Sequence, residues 1–218
     1  MRIALLGGTG DIAEGLVLRW SKIGHQIFIG SRSDDKAKGI ASKYRETLSK
    51  LGIDSHIEGV INAEAARAAE AVVISIPFEY AASTIRQIQD SFTNQIVISP
   101  VVPMVKKGKV FVYSPPHQGS AALEIKEALP ETVKIVSAYH NLPAKALREV
   151  ELVLNYDVVI CGDDKDAKDV VKRITEEIKD LRVLDAGPLE SSMMIEAVTP
   201  LIINLNMRHK QEFSLKFV

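Results

Sequence analysis

Five short, mostly apolar runs limit the chain to few folds: Ile3–Leu6, Gln26–Ile29, Ala71–Ile76, Gln95–Ser99 and Lys134–Ser137. The apolar residues in them are consecutive. Each run therefore predicts a strand buried on both faces, the kind found in a parallel sheet. The stretches between them, 11–23, 34–50, 62–69, 79–91 and 119–129, have helical spacing, and His56–Val60 reads as a weaker strand. Strands and helices in this alternation give right-handed crossovers and a doubly wound α/β sheet. A hydrophobic fraction of 46% supplies the side chains for a core covered on both faces.

After about residue 150 the pattern changes. Tyr156–Cys161 predicts a strand, Asp163 a cap for a helix to about Lys179, and Arg182–Asp185 a second short strand. The segment from Glu190 to about Arg208 is apolar on nearly all sides, so most of its girth needs covering. In a chain of 218 residues the expected cover is a second copy, which predicts a homodimer.

Composition removes several function classes. A net charge of −1 provides no basic field for nucleic acid or an anionic membrane. The most apolar region, 193–207, is interrupted by Glu196, Pro200, Asn204 and Asn206 and does not read as a membrane span. The N-terminal residues run into GGTG rather than a long apolar stretch, unlike a signal peptide. Cys161 is the single cysteine, which rules out an intrachain disulfide and predicts a reducing, cytoplasmic setting. The five histidines lack metal-ligand spacing, and no serine-hydrolase motif is present, so no metal is expected.

The stretch GGTGDIAEG, residues 7–15, follows the first strand and opens a helix. Read from Gly8 it is G-x-G-x-x-A. Gly8 and Gly10 allow a turn and a close approach of backbone amides to phosphate, and Ala13 is small enough for helix and strand to pack. A helix starting at Asp11 points its first amides at an anion, with Thr9 and Ile12 beside it. A tight turn without a ligand uses the same residues. The second strand ends in Ser31-Arg32-Ser33, with Lys36 one turn later, where an NAD site places a carboxylate. A hydroxyl, a guanidinium and an ammonium suit a 2′-phosphate, which predicts NADP over NAD. Ser33 also reads as a helix cap, followed by Asp34 and Asp35.

Ile76-Pro77 and Pro100–Pro103 follow the fourth and fifth strands and offer apolar surface for a nicotinamide ring, although prolines there also serve as chain breakers. His140, within KIVSAYHNLPAKAL, stands at the end of the sixth strand beside the same crevice. Thr199 precedes Pro200 inside the last helix, where the proline frees a carbonyl and bends the chain. CGDD (161–164) and LDAGPL (184–189) read as structural turns.

Taken in order, MRIALLGGTGDIAEGL, IGSRSDDKA, SIPFEYA, VISPVVP, KIVSAYHNLPA, VVICGDD, LDAGPL and EAVTPLIINL resemble the NADPH:coenzyme F420 oxidoreductases almost from end to end. The resemblance implies a Rossmann-type NADP-binding domain over 1–150. It also implies a small C-terminal α/β domain over 151–218 that contributes to a deazaflavin site and a dimer interface. Thr9 to Ile12 would then face the pyrophosphate, Ser31, Arg32 and Lys36 the 2′-phosphate, and Ile76 and Ala144 the nicotinamide nucleotide. His140, Leu142, Thr199 and Phe213 fall where the family contacts the deazaflavin, with His140 and Thr199 orienting it rather than acting as acid or base. Lys106, Lys107, Lys109, Arg208 and Lys210 are candidate contacts for its acidic tail. The expected activity is reversible hydride transfer between reduced coenzyme F420 and NADP. Two other readings are an NADPH-dependent flavin or ferric reductase of related fold and a non-catalytic NADP sensor.

Overall fold

The computed structural model describes residues 1–8 and 10–218; Thr9 lies outside the described residues. The chain alternates β1 (Arg2–Leu6), α1 (Asp11–Ile23), β2 (Gln26–Ser31), α2 (Asp34–Ser49), β3 (His56–Ile61), α3 (Asn62–Ala68), β4 (Ala71–Ile74), α4 (Phe78–Gln87) and β5 (Ile96–Ser99). A hairpin of β6 (Met104–Lys107) and β7 (Val110–Tyr113) follows, then α5 (Ala121–Ala128), β8 (Lys134–Ser137) and α6 (Ala144–Arg148). The last elements are β9 (Tyr156–Gly162), α7 (Lys165–Glu176), β10 (Leu181–Asp185) and α8 (Ser192–His209).

Eight strands form one sheet in the order β10-β9-β8-β5-β4-β1-β2-β3. From β3 to β8 every neighbouring pair is parallel. β9 joins β8 antiparallel, and β10 is parallel to β9. The direction therefore reverses past β8, while the strands of the five runs expected in a parallel sheet all pair parallel. The link from β8 to β9 carries only the five-residue α6, and an antiparallel return needs no crossover helix. The sheet runs unbroken across residue 150.

Alternation within each strand feeds two cores. Ile3 and Leu5 of β1 pack with Leu16 and Trp20 of α1, Tyr44 of α2 and Ile174 of α7. Ala4 and Leu6 pack with Ala65 of α3, Ala81 and Ile85 of α4 and Ile125 of α5 on the other face. Each fully buried Leu or Ile contributes about 1.5–3 kcal/mol. A third, smaller cluster joins Val159 and Cys161 of β9 to Ile195 of α8.

Three details depart from the sequence reading. The cap of α7 is Asp164, whose Oδ1 accepts from Ala167 N at 2.8 Å. Its neighbour Asp163 accepts from Leu189 N at 2.9 Å and pairs with Lys126 at 2.7 Å. The strand runs one residue further than expected, to Gly162. The hairpin over 104–113 carries Lys106 and Lys107 in alternation too short to have been read as strands.

Asp157 on β9 fixes the C-terminal tail. Its backbone N–H donates to Leu215 O at 3.0 Å. Its buried carboxylate accepts from Arg182 Nε (2.8 Å), Arg182 Nη2 (2.6 Å) and Phe217 N (2.6 Å), with Lys216 Nζ at 3.4 Å. The Arg182 guanidinium, with these other donors, holds the carboxyl well below the usual carboxylate range. A depressed native pKa adds stability above the unfolded value near 3.9, and this is lost as pH falls through the native pKa. Asp157→Asn should cost about 1.5–3 kcal/mol, the range for hydrogen bonds to a charged group. In limited proteolysis it should release residues 212–218 at neutral pH, whereas the parent chain should release them only in acid; a tail equally protected in both proteins overturns this account.

Candidate functional site

Two clefts open along the carboxyl edge of β1, β2, β4, β5 and β8. The larger, about 800 Å³, lies between the loops after β1, β4, β5 and β8 and the inner side of α8. The smaller, about 300 Å³, lies over the ends of β1 and β2. They meet at Gly10 and Ser75–Pro77, which line both.

The glycine loop forms the junction. Gly7, at φ 72°, makes the turn and donates its N–H to Gly30 O at 3.0 Å, so the turning residue lies one position before the one read from the sequence. Gly8 is buried behind the clefts and lines neither. Its carbonyl accepts from the hydroxyl of Tyr44 on α2 at 3.0 Å. A Cβ on Gly10 would meet nothing within 4 Å. Gly10 also leads into α1 without a side-chain cap, so the first amides of α1 face open space, as an anion site requires. Asp11 and Ile12 line the larger cleft. Thr9, the loop-tip expectation, lies outside the described residues.

The smaller cleft gathers Ser31, Arg32 and Lys36. Ser31 Oγ accepts from Ser33 N at 3.2 Å, and Ser33 caps α2 by accepting from Lys36 N at 3.4 Å. These contacts fold the turn so that both cations stand over one hollow. Neither Arg32 nor Lys36 forms an ion pair among the described residues. Asn62, at the start of α3, lines the same hollow, and its buried Oδ1 has no partner among the described residues. Sequence reasoning missed Asn62, for which the only signal was a polar residue opening a helix after a strand.

The larger cleft is walled by Ile76, Pro77, Pro100, Val101, Leu142, Ala144, Ile202 and Phe213. His140 enters through an unusual backbone. Tyr139 holds φ 72°, and its buried hydroxyl bonds to Thr175 Oγ1 at 2.8 Å while its ring meets Trp20 edge-on at 5.9 Å. That anchoring turns the next residue toward the cleft. The His140 imidazole is buried with neither nitrogen partnered among the described residues, and burial pushes its pKa down to about 3. It is neutral at ordinary pH, with one donor and one acceptor free. Asn141 Nδ2 donates to Asp157 O at 2.7 Å, and its Oδ1 is also unpartnered.

Thr199 lines the cleft, but its hydroxyl donates to His140 O at 2.9 Å. Its proton thus ties α8 to the His140 loop, and only its lone pairs face a ligand. α8 is held from behind by Glu196, which accepts from Tyr113 Oη, Ala121 N and Ala122 N. Burial raises the Glu196 carboxyl to about 7. Among the candidate tail contacts, Lys109 and Arg208 flank a separate hollow of about 610 Å³ on the outer side of α8. The cations lining the larger cleft are Lys145 and Arg148, which sequence reasoning did not single out.

No helix is long and apolar enough to cross a membrane among the described residues, and these hold no group of three or more potential metal ligands. The family profile for coenzyme F420-dependent NADP oxidoreductases matches residues 2–103. The chain is 39% identical to the F420-dependent NADP reductase of Methanocaldococcus jannaschii, over 97% of this chain and 95% of that one. It is 35% identical to the reductase of the same name from Methanothermobacter thermautotrophicus, over 96% and 91%. A crystal structure of a candidate F420-dependent NADP reductase from Arthrobacter sp. FB24 superposes with a TM-score of 0.82 over the whole of both chains at 20% identity, a likeness of fold. On sequence similarity spanning nearly its full length, the chain belongs to the F420-dependent NADP reductase family.

Proposed function

We infer that this protein transfers a hydride reversibly between reduced coenzyme F420, a 5-deazaflavin, and NADP. One observation carries the reading: a cationic hollow suited to a 2′-phosphate opens at Gly10 into an apolar cleft whose buried, unpartnered side-chain atoms are those of His140 and Asn141. Both carriers exchange two electrons as hydride, so the protein supplies binding, orientation and exclusion of water. Positioning of this kind can account for about 7–11 kcal/mol of barrier.

Arg32, Lys36 and Ser31 hold the 2′-phosphate, and Gly10, Asp11 and Ile12 present the first amides of α1 to the pyrophosphate. Ile76 and Ala144 flank the nicotinamide. His140 offers its free ring nitrogens to the polar edge of the deazaflavin, while Leu142 and Phe213 exclude water. Thr199 keeps the His140 loop in place. A general acid or base is not needed, which fits an imidazole held neutral.

The segment after residue 150 contributes β9, β10, α8 and the tail, and with them Thr199 and Phe213. We read it as the part that completes the deazaflavin site and pairs two copies. Met193, Met194, Leu201 and Met207 on α8 and Val105, Val110 and Val112 on the hairpin are exposed, the kind of apolar surface that an interface covers. A cytoplasmic setting fits a lone, buried Cys161. A ferric or flavin reductase and an NADP sensor remain the rival readings. Mixing protein with NADPH and either coenzyme F420 or FMN separates them: turnover with FMN alone, or with neither acceptor, overturns the proposal.

Arg32→Ala should weaken NADPH binding about 10- to 100-fold, as expected for loss of a charge-assisted hydrogen bond, and leave NADH binding nearly unchanged. Isothermal titration with both nucleotides measures this, and an equal loss for both sinks the assignment. His140→Ala should lower kcat about 10-fold without abolishing it. Because burial keeps the imidazole deprotonated down to about pH 3, the wild-type kcat should show no His140 ionisation between pH 5 and 8. A step in that range that vanishes in the variant would give His140 an acid–base role instead.

A further inference from the structure

Asp11, Gly15, Arg19 and Lys22 form one stripe along α1, spaced 4, 4 and 3 residues apart. Every one of them meets the segment just after the His140 loop. Asp11 Oδ1 pairs with Arg148 at 2.8 Å, and Lys22 with Glu151 at 2.5 Å. Gly15 lies so close to α6 that an added Cβ would stand 2.3 Å from Leu147 Cβ and 3.0 Å from its carbonyl carbon. The guanidinium of Arg19 donates through Nε to Leu147 O (2.8 Å) and through Nη2 to Ala146 O (3.0 Å), Glu149 O (2.7 Å) and Leu152 O (3.0 Å).

Arg19 is only 4% exposed and forms no ion pair among the described residues, with the Glu151 charge acting on it without contact. Burying a charge in this way is costly unless its hydrogen bonds are all made. An apolar side chain could fill the same volume, but it could not donate to the carbonyls at the end of α6 and in the turn after it, of which Glu149 O also accepts from Leu152 N at 2.8 Å. A planar fork with several fixed donors can, and it does so at one relative placement of α1 and α6. The same α1 opens at the glycine loop, and the same segment begins at His140 and Ala144. The two sides of the larger cleft are therefore bolted together behind the cleft.

We propose that Gly15 and Arg19 are positioning residues that set the separation between the dinucleotide cradle at the start of α1 and the opposing wall of His140, Leu142 and Ala144. This rests on the function inferred above. Hydride transfer is steeply sensitive to that separation, since a misplacement of about 1 Å can cost on the order of 100-fold in rate. The glycine that closes the stretch GGTGDIAEG thus serves helix packing behind the site, outside the phosphate loop itself.

Arg19→Lys and Gly15→Ala test the proposal independently, each checked for folding by circular dichroism and thermal melting. Steady-state turnover of coenzyme F420 is measured with NADPH and with NADPH deuterated at the transferred position. Both variants should bind NADPH within about threefold of wild type, lose roughly 10- to 100-fold in kcat, and show a larger isotope effect on kcat as the transfer step becomes limiting. A lowered melting temperature with unchanged kcat and isotope effect overturns the proposal, as does a loss confined to NADPH affinity. If Arg19→Lys does not fold, Gly15→Ala carries the same readouts. Wild-type protein run alongside separates the claims, because its failure to turn over coenzyme F420 would overturn the proposed function instead. The bolt is then read by amide hydrogen exchange: Arg19→Lys must speed exchange across 139–152 and leave 2–8 at the wild-type rate, and unchanged exchange at 139–152 overturns it.

Discussion

The reversal of strand order between β1 and β4 is the constraint from which the site follows. Leu6 and Ile74 end side by side in register, yet the chain leaves them toward opposite faces. α1 packs into one core and α4 into the other. Loops that part in this way leave a crevice that no side chain of the sheet can fill. Gly7 has to turn at once, in a left-handed backbone conformation. Ser75 spans the gap on the other side, with its N–H and hydroxyl both donating to Leu6 O at 2.9 Å. The rigid edges of the crevice come from the sheet, and the chemistry from the first few residues beyond each strand.

The opposing wall is maintained at a cost. A non-glycine residue in the left-handed region costs of order 1–3 kcal/mol, and an unpartnered buried polar group a further 1–3 kcal/mol. Tyr139 and His140 carry these two costs next to each other. The phenol buried between Trp20 and Thr175 offsets the first. Among the described residues no partner of either imidazole nitrogen offsets the second. A ligand edge with one acceptor and one donor would relieve it. The wall thus offers one donor and one acceptor at His140, in a cleft lined by apolar side chains and by the cations Lys145 and Arg148, chemistry that suits the substrate inferred above.

The sequence was most legible where local rules and burial agree. The parallel strands, their crossover helices and the Ser31-Arg32-Lys36 turn could be read because each depends on neighbours a few residues away. His140 could be placed near the cleft because loops after parallel strands share one edge, whereas Leu142 and Ala144 were implied only by the family resemblance, and Thr199 by the resemblance and by Pro200 beside it. What escaped depends on distant partners. The reversal at β9 follows from the short α6 between it and β8. Asn62 and Tyr44 reach the nucleotide end of the site only through the pairing of β2 with β3 and the packing of α2. Arg19 stands within the run GLVLRW, where no motif marks it. Its partners lie more than 120 residues away and are backbone carbonyls, which leave no trace in side-chain pattern.

Polar contacts also determine the placement of α8, for a related reason. An apolar helix packed on apolar surface can slide by a turn with little change in buried area, so hydrophobic contact alone specifies its register weakly. Asn204 pairs through both ends of its side-chain amide with the N–H and C=O of Phe111 on β7. Glu196 accepts from two amides at the start of α5 and from Tyr113 on the same hairpin. Thr199 reaches His140 O. Each contact has one geometry in which its donors are met, and a slipped helix would leave the buried Glu196 carboxyl and the half-buried Asn204 amide unsatisfied. Buried polar groups are weak contributors to net stability, but they can enforce a unique arrangement. Here that arrangement keeps Ile202, Ile203 and Asn206 on the cleft while Met194 and Leu201 face outward. The helix that walls the larger cleft is therefore located by α5 and by the hairpin, and the hairpin is the element that the strand-and-helix pattern of the sequence did not describe.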